Sequence, residues 1–443
     1  MKKVFIYSLI AALGGFLFGL DTAVISGAEQ RVQALWELND FQHGLTVSIA
    51  LIGTVVGAML GGYPSDRLGR RKTLFWIAVI FLVSSLGSAL AIDWYTFLFF
   101  RFVGGLGVGC SSVTAPLYIS EISPASHRGR LVAMFQFNVV LGILMAYVSN
   151  YLLQDVSVNA WRWMLGVQAV PSLIFLVAVL VIPESPRWLL YKKGTIDEAR
   201  NVLRQLNLPE NEAGNQTAGA PAPGNLFSRR YAFPVTLAVL MAFFNQVSGI
   251  NAIIYYAPRI FEMTGMGGSA AFLSTAGVGL LNFIFTLVAI NVIDRFGRRR
   301  LMLIGSIGLI ASLAVVARAF YLEDFGSLVV PVSIFLYIAF FAFSQGAVIW
   351  VFIAEIFPNE VRAQGQALGS FVHWFMAAIV AFTFPHFSQS LGGGHTFLIF
   401  TVMMVLQLVF VLKLMPETRG KTLEQEVVLR PRDEASVNAR PAQ

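Results

Sequence analysis

DRLGRR at 66–71 returns as DRFGRR at 294–299. Glu121 ahead of Arg128 returns as Glu355 ahead of Arg362, and PESPR from Pro183 returns as PETRG from Pro416. From first copy to second the steps are 228 (66 to 294), 234 (121 to 355) and 233 (183 to 416) residues. Three motifs recurring in one order at a nearly constant step mark an internal duplication.

The sequence around the repeats says what was duplicated. Of 443 residues, 56% are hydrophobic and only 12% charged, with a mean hydropathy of +0.70. A chain that size cannot cover a water-soluble globule with so few polar groups, so it is a membrane protein. Apolar runs of about twenty residues, the length that spans about 30 Å of hydrocarbon as a helix, recur near 4–27, 45–64, 73–92, 97–120, 131–153, 162–182, 233–258, 270–293, 301–321, 328–353, 364–388 and 395–415. Barrel strands would be about ten residues long and alternating, which these are not. The expected fold is all-α and integral to the membrane: twelve transmembrane helices as two six-helix bundles. The first run is read as a retained helix, since no small-residue cleavage site follows it.

An even number of spans puts both termini on one side. Lys2, Lys3, Lys72, Arg130, Lys192, Lys193, Arg229, Arg230, Arg300 and the arginines of the repeated boxes share it, whereas the opposite loops carry little beyond Arg31, Arg162 and Arg259. That side is expected to be cytoplasmic, so the +7 net charge reports topology and not nucleic-acid binding. The expected domains are an N-terminal bundle over 1–183, a cytoplasmic linker over 184–230, a C-terminal bundle over 231–418 and a cytoplasmic tail over 419–443. Within the linker, Ser185 then Pro186 reads as a cap followed by proline at the first helical position. TIDEARNVLRQL (195–206) spaces Ile196, Ala199, Val202, Leu203 and Leu206 as one amphipathic helical face. NLPENEAGNQTAGAPAPGN (207–225) has no periodicity and reads as flexible; its Asn215-Gln216-Thr217 glycosylation match is accidental on that side, and the tail from about Glu424 reads as disordered.

Several constellations carry chemistry or exclude it. Cys110 is the single cysteine, so there is no disulfide framework. No GxxxxGK[ST] loop exists, and GGLGVG (104–109) lies inside an apolar span, where close helix packing explains it. His43, His127, His373, His386 and His395 are scattered without ligand spacing, so neither metal nor cofactor nor enzyme activity is expected. Asp21 sits in GGFLFGLDTAVISG (14–27), where an acid costs about 2.5–3.5 kcal/mol near a helix centre and normally faces a cavity or partner. Arg101 is the candidate partner. If conformational change alters their pairing or wetting, proton affinity becomes linked to the access state. On span seven Asn245, Gln246, Asn251, Tyr255 and Tyr256 crowd one segment. On a straight helix Gln246 points about 140° from Asn251, so the two line one cavity only if the helix unwinds near Gly249. Asn282, Trp350, His373 and Trp374 add amides and flat aromatic faces, which suit sugar hydroxyls and ring C–H groups.

The paired DRxGRR boxes, PESPRW (183–188), PETRGKTLE (416–424), RFVGGLGVG (101–109) and QVSGINAIIYYAP (246–258) together resemble the sugar porter family of the major facilitator superfamily, across essentially all twelve spans. The resemblance implies two bundles flanking a central cavity, a hexose or pentose bound halfway across the membrane, and access alternating between sides. It carries sugar contacts onto Phe18, Gln246, Asn251, Tyr255, Asn282 and Trp350. This chain departs from the family pattern with Asn245 in place of a glutamine, His373 before Trp374 in place of asparagine or glutamine, and Ile143 in place of a glutamine. The resemblance makes Asp66, Arg67, Arg70, Arg71, Glu121, Arg128, Glu184, Arg187, Asp294, Arg295, Arg298, Arg299, Glu355, Arg362 and Glu417 a cytoplasmic gate that latches the bundle ends. Members bearing aspartate in FGxDTAVISG look like proton symporters, those with asparagine like passive facilitators. The expected function is monosaccharide transport coupled to proton symport in the bacterial inner membrane, by a monomer in contact with lipid. A passive uniporter and a non-transporting sugar sensor are the alternatives.

Overall fold

The computed structural model describes residues 1–124, 127–208, 225–325, 328–358 and 360–419. Among the described residues there is no strand, and twelve helical stretches are long and apolar enough to cross a membrane. In chain order the helices are α1 (Lys2–Leu35), α2 (Asp40–Leu60), α3 (Gly62–Leu68), α4 (Arg70–Ala89), α5 (Trp94–Ile122), α6 (Arg128–Leu153), α7 (Ala160–Gly166), α8 (Ala169–Val179), α9 (Pro186–Trp188) and α10 (Ile196–Leu206). They continue with α11 (Ala232–Val247), α12 (Ile250–Glu262), α13 (Gly268–Phe296), α14 (Arg298–Leu322), α15 (Val329–Phe341), α16 (Ala347–Ile356), α17 (Arg362–Ser390) and α18 (Gly392–Lys413). Spans six, seven and ten are each built from two pieces: α7 with α8, α11 with α12, and α15 with α16 across a π turn at Ala342–Gly346.

Local sequence sets the helix ends. Asn39 accepts from the Gln42 amide while the Gln42 side chain accepts from the Asn39 amide, a capping box that starts α2. Asp93 caps α5 through the Thr96 amide. α1 runs eight residues past the expected end at Gly27, because AEQRVQAL is strong helix formers but for Val32 and holds neither glycine nor proline to stop a helix.

Contacts divide the chain into two units. The first comprises Met1–Gly219, Ile254–Glu262 and Met266–Gly279; the second comprises Ala220–Ile253, Met263–Gly265 and Leu280–Gln443. Within the first, α1 packs along α6 and α2 along α5; within the second, α14 packs on α18 and α15, and α11 on α17. GGLGVG does what its composition suggested: Gly105 and Gly109 lie against the backbone of Ala50 and Thr54 on α2, where a Cβ would collide. Side chains turned outward from the spans, such as Trp76, Phe99, Leu173, Ile307 and Leu406, are apolar and exposed, the arrangement that lipid demands.

In the linker, Ser185 accepts from the Trp188 amide and Pro186 opens α9. α10 buries Ala199, Leu203 and Leu206, but Ile196, expected on the same face, stands exposed in the first turn. Residues 209–224 of the flexible stretch, the Asn215-Gln216-Thr217 match and the tail beyond Arg419 lie outside the described residues.

Candidate functional site

The second unit carries a buried polar cluster, and a break in span seven makes it. α11 stops at Val247, and Gly249 takes φ +87°, a left-handed backbone that a side chain resists. A Cβ there would also strike the Phe400 ring. The break frees the Ser248 carbonyl, which accepts from the Tyr337 hydroxyl at 3.0 Å, so the irregular backbone costs no orphaned acceptor. Rotation at this point brings Gln246 and Asn251 together: Asn251 Nδ2 donates to Gln246 Oε1 at 2.6 Å. Gln246 Nε2 donates to Asn245 Oδ1 at 2.9 Å and to the His373 ring, whose nitrogens lie 3.1 and 3.2 Å away. The Asn245 amide in turn donates to the Gln345 carbonyl in the π turn. His373 packs against Trp350 and Trp374, each ring centroid 4.8 Å away. Asn245, Gln246, Asn251, His373 and Trp374 are buried and Trp350 half-buried. Asn282, also half-buried, makes no hydrogen bond to the described residues.

The first unit holds the expected pair. Arg101 Nη1 donates to Asp21 Oδ1 at 2.9 Å and Nη2 to the Asp21 carbonyl at 3.2 Å, with both residues no more than 2% exposed. Arg101 Nε has no partner among the described residues. Beside the pair, the hydroxyl of Tyr255 is hydrogen-bonded with Thr22. Phe18, one turn ahead of Thr22, packs its ring 6.4 Å from that of Phe135. Tyr255 groups with the first unit and Asn251 with the second, although a straight helix would set both on one face.

The two boxes share a single design. Gly69 and Gly297 take φ +94° and +83°, so that the next two amides turn toward one carboxylate. In the first copy the amides of Arg70 and Arg71 donate to Glu184; in the second those of Arg298 and Arg299 donate to Glu417. Arg70 forks onto Glu121 at 2.9 and 3.0 Å and reaches Asp66 at 3.1 Å. Arg298 forks onto Glu355 at 3.0 and 2.7 Å and reaches Asp294 at 2.9 Å. Such bidentate charged bonds fix orientation as well as adding energy. Each of these bonds stays within its own unit. Arg128 and Arg362 donate to the carbonyls of Ser123 and Phe357, where α5 and α16 end. Arg67 lies over the Tyr63 ring, Arg295 is exposed and Arg187 half-buried. Burial pushes the Glu184 carboxyl above its ordinary range, against the backbone amides of Ser185, Arg71 and Arg70, which pull it down. For Asp66 the smaller burial is outweighed by Lys192 and Arg70, which hold its carboxyl below the ordinary range.

Sequence reasoning passed over one further group. Glu29, His43 and Arg259, on α1, α2 and α12, also meet inside the first unit. A charged residue in the helical continuation of span one was the available signal.

A family model described as "Sugar (and other) transporter" matches residues 7–428. The chain is 38% identical over 439 residues to the arabinose-proton symporter of Bacillus subtilis (strain 168), covering 96% of this chain and 94% of that one. It is 37% identical over 446 residues to the D-xylose transporter of Levilactobacillus brevis, covering 97% of each. Its structure is similar to the partially occluded inward open conformation of the xylose transporter XylE from E. coli, with a TM-score of 0.83 and 33% identity, covering 95% of this chain and 100% of that one. Twelve membrane spans, a duplicated charge motif and these likenesses over nearly the whole length lead to one assignment: the chain belongs to the sugar porter family of the major facilitator superfamily.

Proposed function

We propose that the chain carries a monosaccharide together with a proton across the bacterial inner membrane by alternating access, as a carrier and not an enzyme. The observation that carries this reading is the Gln246–Asn251–His373 cluster at the break after α11. It gathers amide donors and acceptors at mid-span beside the Trp350 ring, and its members hydrogen-bond one another. A sugar hydroxyl can take over these bonds one for one, which is what reversible binding of a polar solute inside a membrane requires. Asn245, Trp374 and Asn282 are the further candidate contacts in the second unit; Phe18 and Tyr255 are the candidates that the first unit carries. Asp21 is the proton carrier: it is a buried carboxylate bonded to Arg101, and a conformational change that breaks or wets that pair would link proton binding to the access state. The likenesses to an arabinose-proton symporter and to xylose transporters support a pentose or hexose as cargo.

The two box clusters serve as the gate at the cytoplasmic end, with both termini on that side, where the basic residues collect. The protein works as a monomer surrounded by lipid. Counterflow in proteoliposomes with labelled xylose, arabinose, glucose and galactose tests the reading. At least one should exchange, and Gln246→Ala should weaken its binding about tenfold, the worth of one or two neutral hydrogen bonds. Exchange of none of the four sugars would overturn it.

A further inference from the structure

At the far end of α1 a buried base sits in a charged cluster that the sugar and proton sites described above do not use. Glu29 is fully buried, and its carboxylate is forked by Arg259 from α12, with Nε to Oε1 at 3.1 Å and Nη2 to Oε2 at 2.9 Å. Arg259 also donates to Gln33 Oε1 on α1. One turn before Gln33 in space, Gln30 donates to Glu262 at 2.8 Å, a second tie between α1 and α12. His43, on α2 and equally buried, places Nε2 2.7 Å from the same Glu29 Oε2, in ion-pair contact without hydrogen-bond alignment. Its Nδ1 has no partner among the described residues. The Tyr256 ring of α12 lies 5.9 Å from the imidazole. On α5, which packs along α2, the charged groups are engaged elsewhere: Asp93 caps Thr96 and Arg101 is bonded to Asp21. Asp40 stands in the first turn of α2 itself.

We propose that His43 is a second proton-binding site, separate from Asp21, and that its protonation releases α12 from α1. With His43 neutral, the cluster is balanced, one carboxylate against one guanidinium. A proton on His43 creates a second cation on the same oxygen, within about 5.6 Å of Arg259 when the two contacts are laid end to end. Imidazolium then competes for Oε2 and repels the guanidinium at once, and both effects act on the bond that ties α12 to α1. The direction follows: the tie is strongest with the imidazole neutral and loosens once it carries a proton.

In a Cys110→Ala background, Ile260→Cys places a thiol on the buried face of α12, and Val158→Cys gives a fully exposed reference. The rate of labelling by a water-soluble maleimide at Ile260→Cys, divided by that at Val158→Cys, should rise at least threefold between pH 8 and pH 5.5. His43→Gln should flatten this rise, with His43→Asn as a second neutral replacement, and Asp21→Asn should leave it intact. Arg259→Gln should give a high ratio at both pH values. No rise in the parent, or the same rise in both His43 variants, would overturn the proposal. Because the assay needs neither sugar nor gradient, failure of the symport reading leaves its outcome unaffected.

Discussion

Asp21→Asn is the substitution that separates symport from passive passage. The asparagine keeps an oxygen for Arg101 Nη1, and the backbone carbonyl of residue 21 still accepts Nη2, so the guanidinium retains both of its observed partners. What is lost is charge: a bond to an ionised acceptor is worth about 1.5–3 kcal/mol and a neutral one about 0.5–1.5, so the local loss is about 1–2 kcal/mol. The variant should therefore fold. Its transport should change in kind. If the Asp21–Arg101 pair supplies one protonatable group per cycle, a gradient of one pH unit is worth about 1.36 kcal/mol per proton, a tenfold ratio of sugar concentrations at equilibrium. Proteoliposomes given a one-unit pH gradient and a labelled sugar should approach tenfold accumulation with the parent and no accumulation with Asp21→Asn, while counterflow persists in both. Accumulation by the variant would refute the assignment of the coupled proton. A parent that never exceeds equal concentrations would instead favour the uniporter, with Asp21 and Arg101 as a permanent structural pair.

Three other outcomes follow from the geometry. Gly249→Ala forces a side chain into a left-handed backbone at a cost of about 1–2 kcal/mol and against the Phe400 ring, so thermal stability in detergent and counterflow should both fall; unchanged values would mean the break tolerates a Cβ. Glu121→Gln should destabilise more than Glu355→Gln, because the Glu121 side chain is 7% exposed and that of Glu355 22%; each loses a forked charged pair worth about 1.5–3 kcal/mol, and the reverse order in thermal unfolding would contradict this. Burial raises the Glu184 carboxyl from an ordinary value of 4.5, so the folded protein favours its protonated form, a contribution complete below that value and lost as pH rises through the folded one. Glu184→Gln, neutral throughout, should accordingly gain stability relative to the parent as pH rises above that ordinary value, and parallel curves would sink the explanation.

The repeated charged boxes show how far pattern alone reaches. That Asp66 and Asp294 recur at one step told of a shared role, and Gly69 and Gly297 told of a turn. That Glu184 and Glu417 would each collect two successive backbone amides was not legible, because it depends on a chain segment more than a hundred residues away arriving under the turn. Arg128 and Arg362 satisfy helix-end carbonyls, a demand that arises only once α5 and α16 have stopped where they do.

By itself the sequence determined the membrane class, the number of spans, the duplication and the residue types able to meet a sugar or hold a proton. Those follow from hydropathy and spacing, which are local quantities. Only the tertiary structure decided which polar groups meet. Gln246 and Asn251 point apart on any continuous helix, and they touch because Gly249 turns left-handed under Phe400 while Tyr337 takes up the carbonyl that the break exposes. Arg259 comes from more than two hundred residues along the chain from Glu29 and His43, and packing around the buried Glu29 is what turns three ordinary side chains into one group. Apolar surroundings leave a polar side chain no solvent to fall back on, so its partner is set by whichever helix packs against it.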